Sequence, residues 1–106
     1  MAQRAFFLNK LRSEADPADY ERFVREVDYP FARRLPTVRS YVVTRLDGAV
    51  SGEGGLPCDY LEVVEITDID AYRGSLDPDD PAVKAFFEQW SNFVGESIMV
   101  YGEVIE

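Results

Sequence analysis

Two Asp-Pro steps, Asp16-Pro17 and Asp80-Pro81, each open a run in which apolar residues recur at helical spacing. Aspartate is a strong N-cap, and proline loses no hydrogen bond at the first helical position, so both steps read as helix starts. After the first, Tyr20, Phe23, Val24 and Val27 form one apolar stripe, which Phe31 extends past an expected break at Pro30. After the second, Val83, Phe86, Phe87, Trp90, Phe93 and Val94 mark an amphipathic helix that Gly95 is expected to end. Thr67-Asp68-Ile69-Asp70 predicts a short helix, with the Thr67 hydroxyl as its cap and Asp70 at the positive end of the dipole.

Strands fill the spaces between. Residues 5–11, 38–46, 59–66 and 97–105 are rich in β-branched and aromatic side chains, the last interrupted by Gly102, while Ser51-Gly52-Glu53-Gly54-Gly55 predicts a mobile loop. The order is strand, helix, strand, strand, helix, strand, with no internal repeat or linker, which predicts one α+β domain over residues 1–106. This is the ferredoxin-like split βαβ arrangement, a four-stranded antiparallel sheet with its helices on one face. No third layer is available to cover the other face, yet apolar residues occur at both strand parities, Phe6 and Leu8 beside Phe7 and Leu11. With 46% hydrophobic and 13% aromatic residues, this predicts a homodimer joined sheet to sheet; the alternative is a monomer with one wetted face.

A formal charge of −9 repels phosphate backbones and anionic bilayers, so neither nucleic acid nor membrane is an expected partner. The N-terminus has no signal-like apolar stretch, and the lone Cys58 has no partner for an internal disulfide and no histidine nearby to activate it. A cytoplasmic location is expected. The chain has no histidine, which removes an imidazole base, an axial haem ligand and the usual zinc anchors. Asp77, Asp79 and Asp80 are broken by Pro78 and Pro81 and fit no calcium loop, and the glycines form no nucleotide motif, so no metal site is expected.

Acid-base work then falls to a carboxylate, a tyrosine or a lysine whose pKa is moved toward neutrality by burial or by a neighbour. The segment from Glu26 to Thr44 crowds Asp28, Tyr29, Tyr41, Arg33, Arg34 and Arg39 at a helix-to-strand junction pinned by Pro30 and Pro36. Asp28 follows an apolar stripe; it reads either as an acid or base with a pKa raised by burial, or as a partner of Arg33 or Arg34 at the helix end. Tyr41 and Tyr60 lie on neighbouring strands and, if they share a face, offer two phenolic donors; packing with the hydroxyl at the surface is the other reading. Glu62 and Lys10 fit a site or a cross-strand ion pair. Trp90 fits a stacking wall or the core, and the arginine cluster fits a carboxylate fork or a solvated surface.

The strand Phe6-Phe7-Leu8-Asn9-Lys10-Leu11, the helix end Asp28-Tyr29-Pro30, Leu35-Pro36-Thr37-Val38 and Asp59-Tyr60-Leu61-Glu62-Val63 carry a resemblance over nearly the whole chain. The sequence resembles the RedY-like (HapK-type) proteins. That resemblance implies a dimeric α+β barrel with a cleft between sheet and helices. It also implies a small cofactor-independent enzyme on a pathway to pyrrole- or indole-derived natural products, such as prodigiosin-like pyrroles or bisindoles. Asp28, Tyr60 and Tyr41 are the expected catalytic residues, and Tyr29, Phe31, Arg34, Glu62 and Trp90 the expected contacts to a planar hydrophobic intermediate. A non-catalytic carrier for such an intermediate is the alternative, and a metal- and flavin-free oxygenase follows by fold analogy alone.

Overall fold

The computed structural model describes residues 2–106. Four strands, β1 (Gln3–Leu11), β2 (Val38–Arg45), β3 (Tyr60–Ile66) and β4 (Val94–Glu103), form one antiparallel sheet in the order β2-β3-β1-β4. β1 and β3 are therefore central, and their alternate residues decide what the sheet offers on each side. On the inner face Ala5, Phe7, Asn9, Tyr60, Glu62, Val64 and Ile66 are all buried. Helical residues close over this face: Tyr20, Phe23, Val24 and Phe86 join Tyr60 in one cluster, and Tyr72 joins Phe7, Tyr41 and Val64 in another.

Between β1 and β2 the chain is helical throughout, as α1 (Pro17–Phe23), a wide π-type segment (Val24–Asp28) and α2 (Tyr29–Arg34). The expected break at Pro30 does not occur. A proline ring within a helix clashes with the carbonyl four residues earlier, here that of Glu26. The wide turn relieves that clash, because Tyr29 N–H bonds back to Val24 O, five residues away. The run ends only at Leu35, before Pro36.

Asp16 caps α1 by accepting from Ala18 N at 2.8 Å, and Asp80 caps α4 (Pro81–Trp90) by accepting from Ala82 N at 2.8 Å, as both Asp-Pro steps predict. The short helix α3 (Ile69–Ser75) is capped by Asp68, whose Oδ1 accepts from Ala71 N at 2.8 Å, and not by Thr67. The Thr67 N–H instead bonds to Thr37 O at 3.0 Å, which ties it to the chain entering β2. α4 stops at Trp90, so Phe93 lies in a turn and Val94 opens β4. Gly95 is a strand residue, and a Cβ there would sit 3.3 Å from Arg12 Cγ, so its role is close approach and not helix termination. Gly102 does not interrupt β4; it pairs with Arg4 in the ladder.

The outer face of the sheet is apolar and uncovered by the chain itself. Val42, Ile98 and Val100 are exposed, and Phe6, Leu8 and Val63 beside them are only half-buried. Among the described residues no helix is long and apolar enough to cross a membrane. Cys58 is buried and directs its thiol toward Tyr60 O at 3.4 Å; burial pushes its pKa up, which keeps it protonated.

Candidate active site

Four polar side chains from four elements meet on the otherwise apolar inner face. Inward parity along β1 and β3 brings Asn9 and Glu62 to that face, β2 supplies Tyr41, and the wide helical turn delivers Asp28 over them. Asn9, Asp28 and Glu62 are respectively 0%, 2% and 5% exposed, so none relies on solvent for its hydrogen bonds. Tyr41 Oη lies 2.7 Å from Asp28 Oδ2 and 2.5 Å from Glu62 Oε1. Asn9 Nδ2 donates to Glu62 Oε2, and Asn9 Oδ1 accepts from Ser97 Oγ at 2.6 Å.

Counting protons fixes the charge of this group. Tyr41 has one hydroxyl proton and so donates to only one of its two carboxyl neighbours. Were both carboxyls ionised, the other would press a bare oxygen against the phenol oxygen in a buried site, at the full cost of an unsatisfied buried charge. One carboxyl is therefore protonated and donates to Tyr41. Glu62 has the donors that favour the anion, namely Tyr41, Asn9 and the Trp90 indole, although burial raises its pKa. Asp28 has only Tyr41 to favour its anion; burial first, and the negative charge of Glu62 second, raise it from 3.8 to about 7. These donors favour an Asp28 acid, a neutral Tyr41 and a Glu62 carboxylate joined in one line.

Asp28, Tyr41 and Glu62 line a cavity walled by Phe7, Phe31, Tyr72, Leu76, Phe87 and Trp90. Its free volume is about 20 Å³, room for one water-sized occupant. A planar ring fits only if part of this wall moves. Phe87 and Trp90 on α4 are only half-buried, which makes that side the weaker one.

The expected site residues divide into those gathered here and those held elsewhere. Asp28, Tyr41, Glu62, Phe31 and Trp90 all line the cavity. Phe31 also stacks on Phe86, with ring centres 4.2 Å apart and planes at 5°. Tyr29 is adjacent but turned away, accepting from Val43 N at 3.0 Å and carrying the Arg33 guanidinium 3.9 Å above its ring. Tyr60 does not pair with Tyr41. It shares the face, but it sits opposite Arg45, whereas Tyr41 sits opposite Val64, four residues further along β3 and thus about 13 Å away. Its hydroxyl donates to Glu21 Oε2 at 2.7 Å in a separate open cleft of about 290 Å³.

Arg34 is exposed on the far side of the helical layer, in a shallow groove with Ala82 and Gln89, and takes no part in the cavity. Neither Asp28 nor Glu62 has an ion pair among the described residues. Arg33 is spent on Tyr41 O at 3.0 Å, and Lys10 is exposed, at the strand parity opposite to Asn9. Asn9 and Ser97 are the two members that sequence reasoning missed. A lone amide at inward parity between Phe7 and Leu11 was the available signal.

Comparison with known proteins gives a consistent picture. A family model described as REDY-like protein HapK matches residues 3–105. The crystal structure of HapK from Hahella chejuensis is 24% identical, with a TM-score of 0.78, covering 97% of this chain and 92% of that one. An ethyl tert-butyl ether D (EthD) family protein from Bacillus halodurans is 20% identical, with a TM-score of 0.73, covering 99% and 100%. A dimeric ferredoxin-like protein of unknown function from Thermobifida fusca is 17% identical, with a TM-score of 0.70, covering 98% and 92%. No curated protein matches the chain.

Proposed function

The chain belongs to the REDY-like HapK family, and from that premise we propose that it is a cofactor-independent biosynthetic enzyme acting on a planar hydrophobic pyrrole- or bisindole-type intermediate. The observation that carries this reading is the buried Asp28–Tyr41–Glu62 line opening onto an aromatic-walled cavity. An acid with a pKa near 7 both gives and takes a proton at neutral pH, which is the property general acid-base catalysis needs. In a condensation of a heteroaromatic C–H with an aldehyde carbonyl, Asp28 protonates the carbonyl oxygen as the C–C bond forms and recovers a proton from the ring carbon as aromaticity returns. It gives that proton to the resulting hydroxyl, which leaves as water, and takes the next one from the ring N–H, so no oxidant or reductant is consumed. While Asp28 is ionised, two negative charges flank Tyr41; the return of the proton relieves that repulsion.

The cavity walls supply enclosure and orientation, and Trp90 on α4 supplies a stacking surface for the entering ring. Trp90 is the only tryptophan, so its fluorescence reports occupancy directly. Titration with a panel of indoles, bisindoles and pyrrole-carbaldehydes is expected to give saturable quenching at micromolar ligand, followed by protein-dependent product formation. Quenching with altered loss of the intermediate but unchanged product choice would mark a carrier instead, and silence across the panel would remove the proposal.

We place a second copy of the chain on the outer sheet face, because Val42, Ile98 and Val100 there are about half exposed and form an apolar patch with Phe6, Leu8 and Val63. Sedimentation velocity is expected to show a dimer for the unmodified protein and a monomer for Val100→Asp. A monomeric unmodified protein at tens of micromolar would sink this assignment.

A further inference from the structure

Asn9 stands directly across the ladder from Ser97 on one side and Tyr60 on the other, at the centre of the sheet. Its amide is fully buried and spans the gap between Ser97 and Glu62, so its two ends meet different chemistry. The observed orientation points Nδ2 at the Glu62 carboxylate and Oδ1 at the Ser97 hydroxyl. The reversed amide would turn a carbonyl oxygen toward Glu62, which only a protonated Glu62 satisfies. The direction of this amide is thus tied to the position of a proton on the far side of Tyr41.

We propose that Asn9, oriented by Ser97, is the positioning residue that allots the single shared proton to Asp28 and keeps Glu62 as the carboxylate. The allotment matters for chemistry only if the acid-base reading above holds, but it is a property of the unliganded protein. Tyr41 bonds to both carboxyls and cannot favour one by its own chemistry. Trp90 aids Glu62 from α4, at the side of the cavity that must part for a ligand. Asn9 acts from a central strand and holds its place whatever α4 does. The remaining groups that face the pair are Tyr20 from α1 and Tyr72 from α3; burial raises the pKa of both phenols and keeps them neutral, so neither competes for the proton.

Without the Asn9 donor, Glu62 loses a hydrogen bond made to its charged form, and the proton is drawn across Tyr41 toward it. Such a bond to a buried charge moves a titration midpoint by about one to two pH units. The test is a carbon-13 carboxyl titration of Asp28 and Glu62 by NMR, which needs no substrate and therefore stands apart from any failure to find turnover. In the unmodified protein at pH 6, Glu62 is expected at an ionised shift and Asp28 at a protonated one. Asn9→Leu is expected to exchange those populations. Ser97→Ala, at a half-buried site where the fold is safe, is expected to move them the same way by a smaller amount, and Ser97→Thr to restore them. The proposal is overturned if Glu62 carries the proton in the unmodified protein, or if Ser97→Ala leaves both titrations where they were.

Discussion

Asp28→Asn is expected to lower product formation by about 10²–10⁴-fold, the range that loss of a positioned proton donor produces, while raising stability at pH 8. The two effects have one cause. Asp28 titrates at about 7 in the folded chain against an ordinary value of 3.8, so the folded state holds a proton that the unfolded state has released. Its contribution to stability is complete below the unfolded pKa and is lost as pH rises through about 7. The shift corresponds to about 4 kcal/mol at most. Asparagine is neutral at every pH and can still donate to Tyr41, so the variant keeps what the wild type loses. Urea unfolding from pH 4 to pH 8 checks this: the wild type should weaken across that window, and Asp28→Asn should weaken less, by the part that Glu62, also raised by burial, still contributes. A wild type as stable at pH 8 as at pH 5 would contradict the buried acid.

Tyr41→Phe is expected to cost about 3 kcal/mol of stability at pH 6, because it removes hydrogen bonds to two buried carboxyl groups and leaves both underpaired. The ring remains in place, packed edge-on against Tyr29 at 5.5 Å, so little of the cost comes from lost packing. The Tyr41 bond lowers the Glu62 pKa, and its removal should move the Glu62 midpoint up. Product formation should fall as well, since Glu62 can no longer act on Asp28 through the phenol. Denaturant unfolding and the carboxyl titration together decide the matter; a loss below about 0.5 kcal/mol would mean that Tyr41 does not bridge the pair.

Much of this fold is legible in the sequence. The two Asp-Pro steps cap helices as expected, and the β-branched runs became the four strands of the anticipated sheet. These signals are local, and local physics decides them. Pro30 misled because a proline in a helical run reads as a stop under a 3.6-residue period, and nothing local announces a wider turn. Arg34 entered only as one of the basic cluster Arg33, Arg34 and Arg39, and nothing local says which of the three faces a cavity; it is exposed, as the solvated-surface reading has it. Asn9 and Ser97 are 88 residues apart in the chain, and only the pairing of β1 with β4 joins them. A strand asparagine and a strand serine look like surface residues until that register is known. Tyr41 and Tyr60 show the same limit, because sharing a face is a matter of parity, whereas meeting is a matter of register.

The wide turn at Val24–Asp28 also makes chain length a determinant of chemistry. A helix of ordinary pitch turns by about 100° per residue, so a chain with one residue fewer in this segment keeps the inward stripe of Tyr20 and Phe23. It would present a different side of everything that follows. Such a chain would retain its core, its strand order and every residue type named above, yet its carboxyl would point away from Tyr41. Counting residues across this turn therefore separates sequences able to hold the acid from those that share only the scaffold, a distinction that comparing residue identities alone would miss.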